Sequence, residues 1–160
     1  MESYDLVVIG AGPGGYPAAI RGAQLGAKVA IVEKEQIGGT CLNWGCIPTK
    51  TLIAGATLFA DIQHSEKFGI KIGKTTLDFA GLMAHKKAVV ETLQNGVRQL
   101  LKANGVTILQ GTASFESRNV LKVTSSDGEK EIGAAKVIIA TGSTSVMPGF
   151  LPKSPRVLES

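Results

Sequence analysis

Residues 4–15 read YDLVVIGAGPGG. A short apolar run rich in β-branched residues is followed at once by glycines at 10, 12 and 15, the pattern G-x-G-x-x-G. The run predicts a buried strand over 4–9. Next, YPAAIRGAQLG over 16–26 predicts a helix ending at Gly26, and KVAIVEK over 28–34 a second strand. Strand, glycine turn, helix and strand make a βαβ unit, so an α/β fold with a parallel sheet is expected. Pro17 falls in the early turns of the helix, where it removes one backbone donor and is expected to bend the helix slightly.

The glycine pattern is weak evidence alone, but its place between strand and helix gives it physical meaning. The first glycine permits the tight turn, the second lets backbone amides approach a pyrophosphate, and the third lets helix and strand pack closely. The helix N-terminus adds partial positive charge and free N–H donors. Glu33 ends the second strand eighteen residues beyond Gly15. A carboxylate there can accept hydrogen bonds from ribose hydroxyls and repels a 2′-phosphate, which disfavours NADP. A glycine turn beside a solvated glutamate is the bland alternative, and the coincidence of motif and acid at this separation argues against it. FAD and NAD both carry an adenosine ribose and a pyrophosphate, so the motif does not separate them.

Further along, a helix is expected from about Thr49 to His64, a loop over 65–77, and a long helix from Asp78 to about Asn104. The long helix carries apolar residues at 79, 82, 83, 90, 93, 97, 100 and 101, which predict a packing face. Asp78 is the expected N-cap and Gly105 the stop. Then VTILQGTASFE (106–116), NVLKVTS (119–125) and KEIGAAKVIIATG (130–142) read as strands, with SSDGEK (125–130) as the turn between the last two. They predict a β-meander insertion that returns to the main sheet through KVIIA. The tail over 143–160, with prolines at 148, 152 and 155, reads as a linker.

The two cysteines, Cys41 and Cys46, sit in GGTCLNWGCIPTK (38–50). A staple, half of a metal site, or a redox couple could explain the pair. In a regular helix five residues rise about 7.5 Å, whereas bridged Cα atoms lie within about 7 Å. A bridge therefore demands a distorted turn, which Asn43 and Gly45 tolerate. So short a loop yields only about 2 kcal/mol of entropic stabilisation, which suits a bond made and broken in turnover. A helix starting near Ile47 or Pro48 puts Cys46 at its N-terminal end with Lys50 one turn on, and both features favour a thiolate. Zinc needs four ligands, and the only histidines, His64 and His85, are 21 residues apart, so no metal is expected. Each histidine reads as a solvated helix residue. An inert pair of thiols is the remaining alternative.

Of 160 residues, 44% are hydrophobic, enough for one domain with a core. The net charge of +4 is scattered, so no basic stripe suggests nucleic acid. The start MESYDLVVIGAG does not fit a signal peptide, and no apolar run reaches the roughly twenty residues that span a bilayer. A soluble, cytoplasmic protein is expected, with no membrane partner. In a reducing compartment a lasting staple is disfavoured.

GGTCLNWGCIPTK, together with VVIGAGPGG and VIIATGS, closely resembles the pyridine nucleotide–disulfide oxidoreductases, FAD enzymes with a redox-active disulfide beside the flavin. Leu42, Asn43 and Ile47 follow the branch of that family that oxidises dihydrolipoamide; Thr49 replaces its usual serine. The resemblance implies a Rossmann-like FAD-binding domain, residues 1–142 forming its N-terminal part and 143–160 a linker toward an NAD-binding domain. It implies that Gly10, Gly12, Gly14 and Gly15 hold the pyrophosphate, that Glu33 and Lys34 lie at the adenosine ribose, and that Gly39 and Thr40 line the pyrophosphate and flavin side. Ala113 would approach the adenine; Ala140, Thr141 and Gly142 would match a second FAD-contacting segment. Cys46 would be the flavin-facing, charge-transfer thiolate, Cys41 the interchange thiol, and Lys50 would lie near flavin N5.

The implied reaction passes electrons from dihydrolipoamide, carried on a 2-oxoacid dehydrogenase complex, through disulfide and FAD to NAD⁺, in a homodimer. Family members are much longer and carry a second G-x-G-x-x-G for NAD and a histidine–glutamate base. Neither feature occurs here, so an N-terminal piece, inactive alone, is expected.

Overall fold

The computed structural model describes residues 1–152 and 154–157. The chain forms β1 (Glu2–Ile9), α1 (Tyr16–Gln24), β2 (Val29–Glu33), α2 (Gly39–Asn43), α3 (Cys46–Gln63), a 3₁₀ turn (Ser65–Phe68), α4 (Phe79–Ala103), β3 (Thr107–Gln110), β4 (Thr112–Ser117), β5 (Val120–Ser125) and β6 (Gly128–Ile139).

One six-stranded sheet runs in the order β3-β2-β1-β6-β5-β4. β1 pairs in parallel with β2 and β6, and β2 with β3, as the βαβ reading requires. β4, β5 and β6 form the antiparallel meander. The meander is continuous with the main sheet, because the twelve residues of β6 serve both: residues 128–133 pair with β5 and those from Ile132 to Ile139 with β1. The stretch expected as a strand over 106–116 is broken at Gly111, whose φ of 146° turns the chain from β3 into β4.

Alternation along β1 and β2 divides the core between two faces. Val8, Val29 and Ile31 face α1 and α4, where they meet Ala19, Val97 and Leu101. Val7, Ala30 and Val32 face the other way and are covered by Leu121, Val123, Ile132 and Ala134 of the meander. Every residue of β2 is buried, as expected of a strand covered on both faces.

Several expectations need correction. Pro17 lies at the second position of α1, where its missing N–H has no intrahelical acceptor to lose, so it costs no helical bond. α1 ends at Gln24, with Gly26 at φ 88° just beyond. α3 begins at Cys46, three residues before Thr49. In α4, Asp78 caps as expected, accepting from the Gly81 N–H at 3.0 Å. However, Phe79, Leu93 and Leu100 are exposed rather than packed. The buried stripe runs through Val90, Val97 and Leu101, and half-buried Gln94 lies on it where Leu93 was expected. Between 143 and 157 the described residues form no helix or strand; the rest of the tail predicted as a linker lies outside the described residues. Among the described residues, no helix is long and apolar enough to cross a membrane.

Candidate functional site

The site lies where the parallel strands end. β1 stops at Ile9, and Gly10, at φ 98°, turns the chain while its N–H donates to Val32 O at 2.7 Å. The Gly15 N–H closes the turn on Gly12 O at 2.9 Å, and α1 begins at the next residue. A Cβ on Gly15 would stand 1.8 Å from Gly10 O, and one on Gly10 2.3 Å from Ala140 O. Those two glycines are therefore demanded by packing. Gly12 is different: a Cβ there would meet only Gly39 Cα, at an ordinary 3.7 Å. Its missing side chain leaves space that the protein does not fill, as an approaching pyrophosphate requires.

Glu33 closes β2 and is buried, 7% exposed. One carboxylate oxygen accepts the Ala11 N–H at 2.7 Å and the other the Glu35 N–H at 2.8 Å. The acid thus ties the glycine turn to the end of β2, a role that the sequence reading missed. Each oxygen retains a lone pair for a further donor.

After β2, Gly38 and Gly39 adopt φ of 99° and 59° and reverse the chain. The Gly38 N–H bonds Ala11 O at 2.8 Å, and a Cβ on Gly39 would stand 2.7 Å from Gly12 Cα. Glycine against glycine, α2 is seated on the glycine turn. α2 carries Cys41 and ends at Asn43; α3 opens with Cys46. Trp44 and Gly45 break the helix, and both of their N–H groups donate to Thr40 O, at 2.9 and 2.7 Å. The distorted turn that a bridge demands is present, though Gly45 achieves it at φ −115°, without left-handed backbone.

The cysteines are unbridged. Cys41 is half-buried and Cys46 exposed, with their side chains within hydrogen-bonding reach. The hydrogen bond to Cys46 is the main cause that pushes the Cys41 thiol above its ordinary pKa; desolvation adds to it, and the Lys50 charge opposes it.

All of this borders one cleft of about 840 Å³. Gly10 and Gly12 line it from the glycine turn, Glu33 and Lys34 from the end of β2, and Gly39, Thr40, Cys41 and Cys46 from the cysteine segment. Ala113 of β4 and the Ala140–Thr141–Gly142 exit from β6 complete the wall among the expected residues. Trp44, 53% exposed, lines it too, unexpectedly. Gly14, Gly15 and Lys50 are not among the lining residues; Gly15 packs on Gly10, and Lys50 is exposed one turn beyond Cys46. His64 caps the C-terminal end of α3 with its Nδ1 2.7 Å from Ala60 O, and His85 is an exposed α4 residue. Among the described residues, no three of His, Cys, Asp and Glu are placed to hold a metal.

A glycine-lined cleft at the strand ends, with two free cysteines on one wall, is an arrangement of an α/β nucleotide-binding type of fold. The family model for pyridine nucleotide-disulphide oxidoreductases matches residues 4–158, and the chain belongs to that family. Among its relatives are the dihydrolipoyl dehydrogenases of Geobacillus stearothermophilus, 47% identical over 98% of this chain and 33% of the relative, and of Chlamydia muridarum, 42% identical over 98% and 34%. A copper(II) complex of the HOCl-induced flavoprotein disulfide reductase RclA of Escherichia coli superposes with a TM-score of 0.76 at 33% identity, covering 93% of this chain and 31% of that one. The chain spans about a third of the length of these relatives.

Proposed function

We propose that this chain is the FAD-binding, redox-disulfide part of a dihydrolipoyl dehydrogenase. The observation that carries the reading is the placement of both cysteines in the wall of the cleft that the glycine turn anchors. The residues fit the cofactor: Gly12 leaves backbone approachable, and the Glu33 carboxylate keeps free lone pairs at the rim. Gly10 and Gly12 meet the pyrophosphate in the cleft while Gly14 and Gly15 shape the turn behind them, Glu33 and Lys34 hold the adenosine ribose, and Gly39 and Thr40 line the pyrophosphate and flavin side. Ala113 approaches the adenine, and Ala140, Thr141 and Gly142 close the far wall. Bound FAD supplies a two-electron acceptor.

The protein's own chemistry is dithiol exchange. A dihydrolipoamide thiolate attacks the Cys41 sulfur of the oxidised pair; the Cys41–Cys46 bond breaks and Cys46 leaves as thiolate. The second substrate sulfur then closes lipoamide, and Cys41 is released and takes a proton. One disulfide is lost and one is formed, with two electrons gained by the pair. The raised pKa of Cys41 suits it to take that proton. Lys50 adds positive charge near the sulfurs.

Residues 1–142 are the N-terminal part of the FAD-binding domain, and 143–160 lead toward a domain that binds the acceptor NAD⁺. The whole protein works as a cytoplasmic homodimer on lipoamide carried by a 2-oxoacid dehydrogenase complex. The test is an absorption titration with FAD of the chain whose cysteine pair has first been oxidised to the disulfide, followed by one equivalent of dihydrolipoamide under anaerobic conditions. The reading expects a yellow complex and two new protein thiols per chain. A chain that takes up no flavin, or gains no thiols, overturns it.

A further inference from the structure

The cysteine turn is tied to a distant helix by a pair of amides. Asn43, the last residue of α2, lies two positions after Cys41 and three before Cys46. Its Nδ2 donates to Ile37 O at 3.1 Å and to Gly39 O at 2.9 Å. Both amide hydrogens are thus committed, which fixes the amide's orientation and leaves Oδ1 as an acceptor. The donor that reaches it is Nε2 of Gln94, fifty-one residues away on α4.

Gln94 is half-buried and follows Val90 by four residues and precedes Val97 by three, on the packed stripe of α4. A primary amide on that stripe meets a steric and hydrogen-bonding demand that leucine at the same place would not. The geometry points to Gln94 as a positioning residue for the Cys41–Cys46 couple, acting through Asn43. This rests on the redox-pair reading above.

The consequence follows from loop freedom. The tie is present in the dithiol form, where it holds α2, and so Cys41, against α4, the helix on which α3, opening with Cys46, also packs. Ring closure then starts from two sulfurs already adjacent. Without the tie the dithiol gains freedom that the closed ring must surrender, so the equilibrium moves toward the dithiol.

The experiment equilibrates the whole chain with reduced and oxidised dithiothreitol and counts alkylated thiols by mass. In each exchange the Cys41–Cys46 bond breaks, the dithiothreitol ring bond forms, and two electrons and two protons pass to the cysteines. Gln94→Leu keeps the bulk without the donor; Gln94→Glu is isosteric and presents an acceptor to Asn43 Oδ1. Each is expected to shift the equilibrium roughly tenfold toward the dithiol, about 30 mV for a two-electron couple. Gln99→Leu, at an exposed α4 position, is expected to leave it unchanged. Gln94 variants that melt earlier but keep the wild-type equilibrium overturn the proposal, as does an equal shift in Gln99→Leu. A wild-type pair that never oxidises overturns the redox-pair reading itself, and this proposal with it.

Discussion

Glu33 accepts the backbone N–H of Ala11 at 2.7 Å, so the last residue of β2 holds the glycine turn that follows β1. Its second oxygen holds Glu35 N–H at 2.8 Å, and the side chain is buried. In Glu33→Gln one of these two amides faces an NH₂ group instead of an oxygen. A buried donor left unpaired costs about 1–3 kcal/mol. The urea midpoint should fall accordingly with the slope unchanged; an unaltered midpoint would show that the tie contributes nothing.

The glycines of the turn separate folding from binding. Gly15→Ala forces a Cβ to within 1.8 Å of Gly10 O, so backbone must shift, and a loss of stability above about 3 kcal/mol is expected. Gly12→Ala meets nothing closer than 3.7 Å and should leave the melting temperature near wild type. Its methyl group, however, occupies the approach to the backbone amides, and flavin affinity should fall at least tenfold. If Gly12→Ala binds flavin as well as wild type, the pyrophosphate does not lie there.

Cys41 offers a test by pH. Its raised pKa means less thiolate at any given pH than an ordinary cysteine, and the largest cause is the hydrogen bond to Cys46. In Cys46→Ala that cause is gone, so Cys41 should be alkylated faster at pH 8, with its rate profile displaced to lower pH. The sign for stability follows. In the dithiol form the contribution is complete below the ordinary thiol pKa of about 8.5 and is lost as pH rises through the higher folded value. Urea midpoints of the reduced chain should therefore decline in that alkaline window, and less so in Cys46→Ala.

Asp78→Ala removes the acceptor of the Gly81 N–H at the start of α4. The expected loss is about 1 kcal/mol by urea unfolding. Because the cap lies at the far end of α4 from Leu101, thiol counts and flavin uptake should be unchanged.

The parallel half of the sheet was legible because residues 6–9 and 29–32 are short apolar runs on either side of a glycine turn and helix, and because that βαβ order brings Gly10, Gly12, Gly15 and Glu33 to one end of the sheet. The break between Cys41 and Cys46 was legible for the same kind of reason: a smooth helix holds them too far apart. What escaped was tertiary. Spacing cannot say which of Leu93 and Gln94 turns inward, since the answer depends on Asn43 waiting across the groove. A polar residue interrupting an apolar stripe was the available signal. Glu33 was expected to face a ribose, and nothing in the sequence showed that its oxygens would also capture Ala11 and Glu35. The split at Gly111 was hidden because β-propensity continues on both sides of it; only the packing, where a Cβ would stand 2.6 Å from Thr124 O, shows that the turning residue must be glycine.

Three junctions at the rim of the cleft, after β1, β3 and β6, are Gly10, Gly111 and Gly142, with φ of 98°, 146° and 71°. A rim made of main chain in these conformations presents amides and carbonyls whose positions no side chain sets. A guest molecule docking on such a rim meets backbone, so a substitution elsewhere in the lining changes the chemistry of the cleft without redrawing its outline.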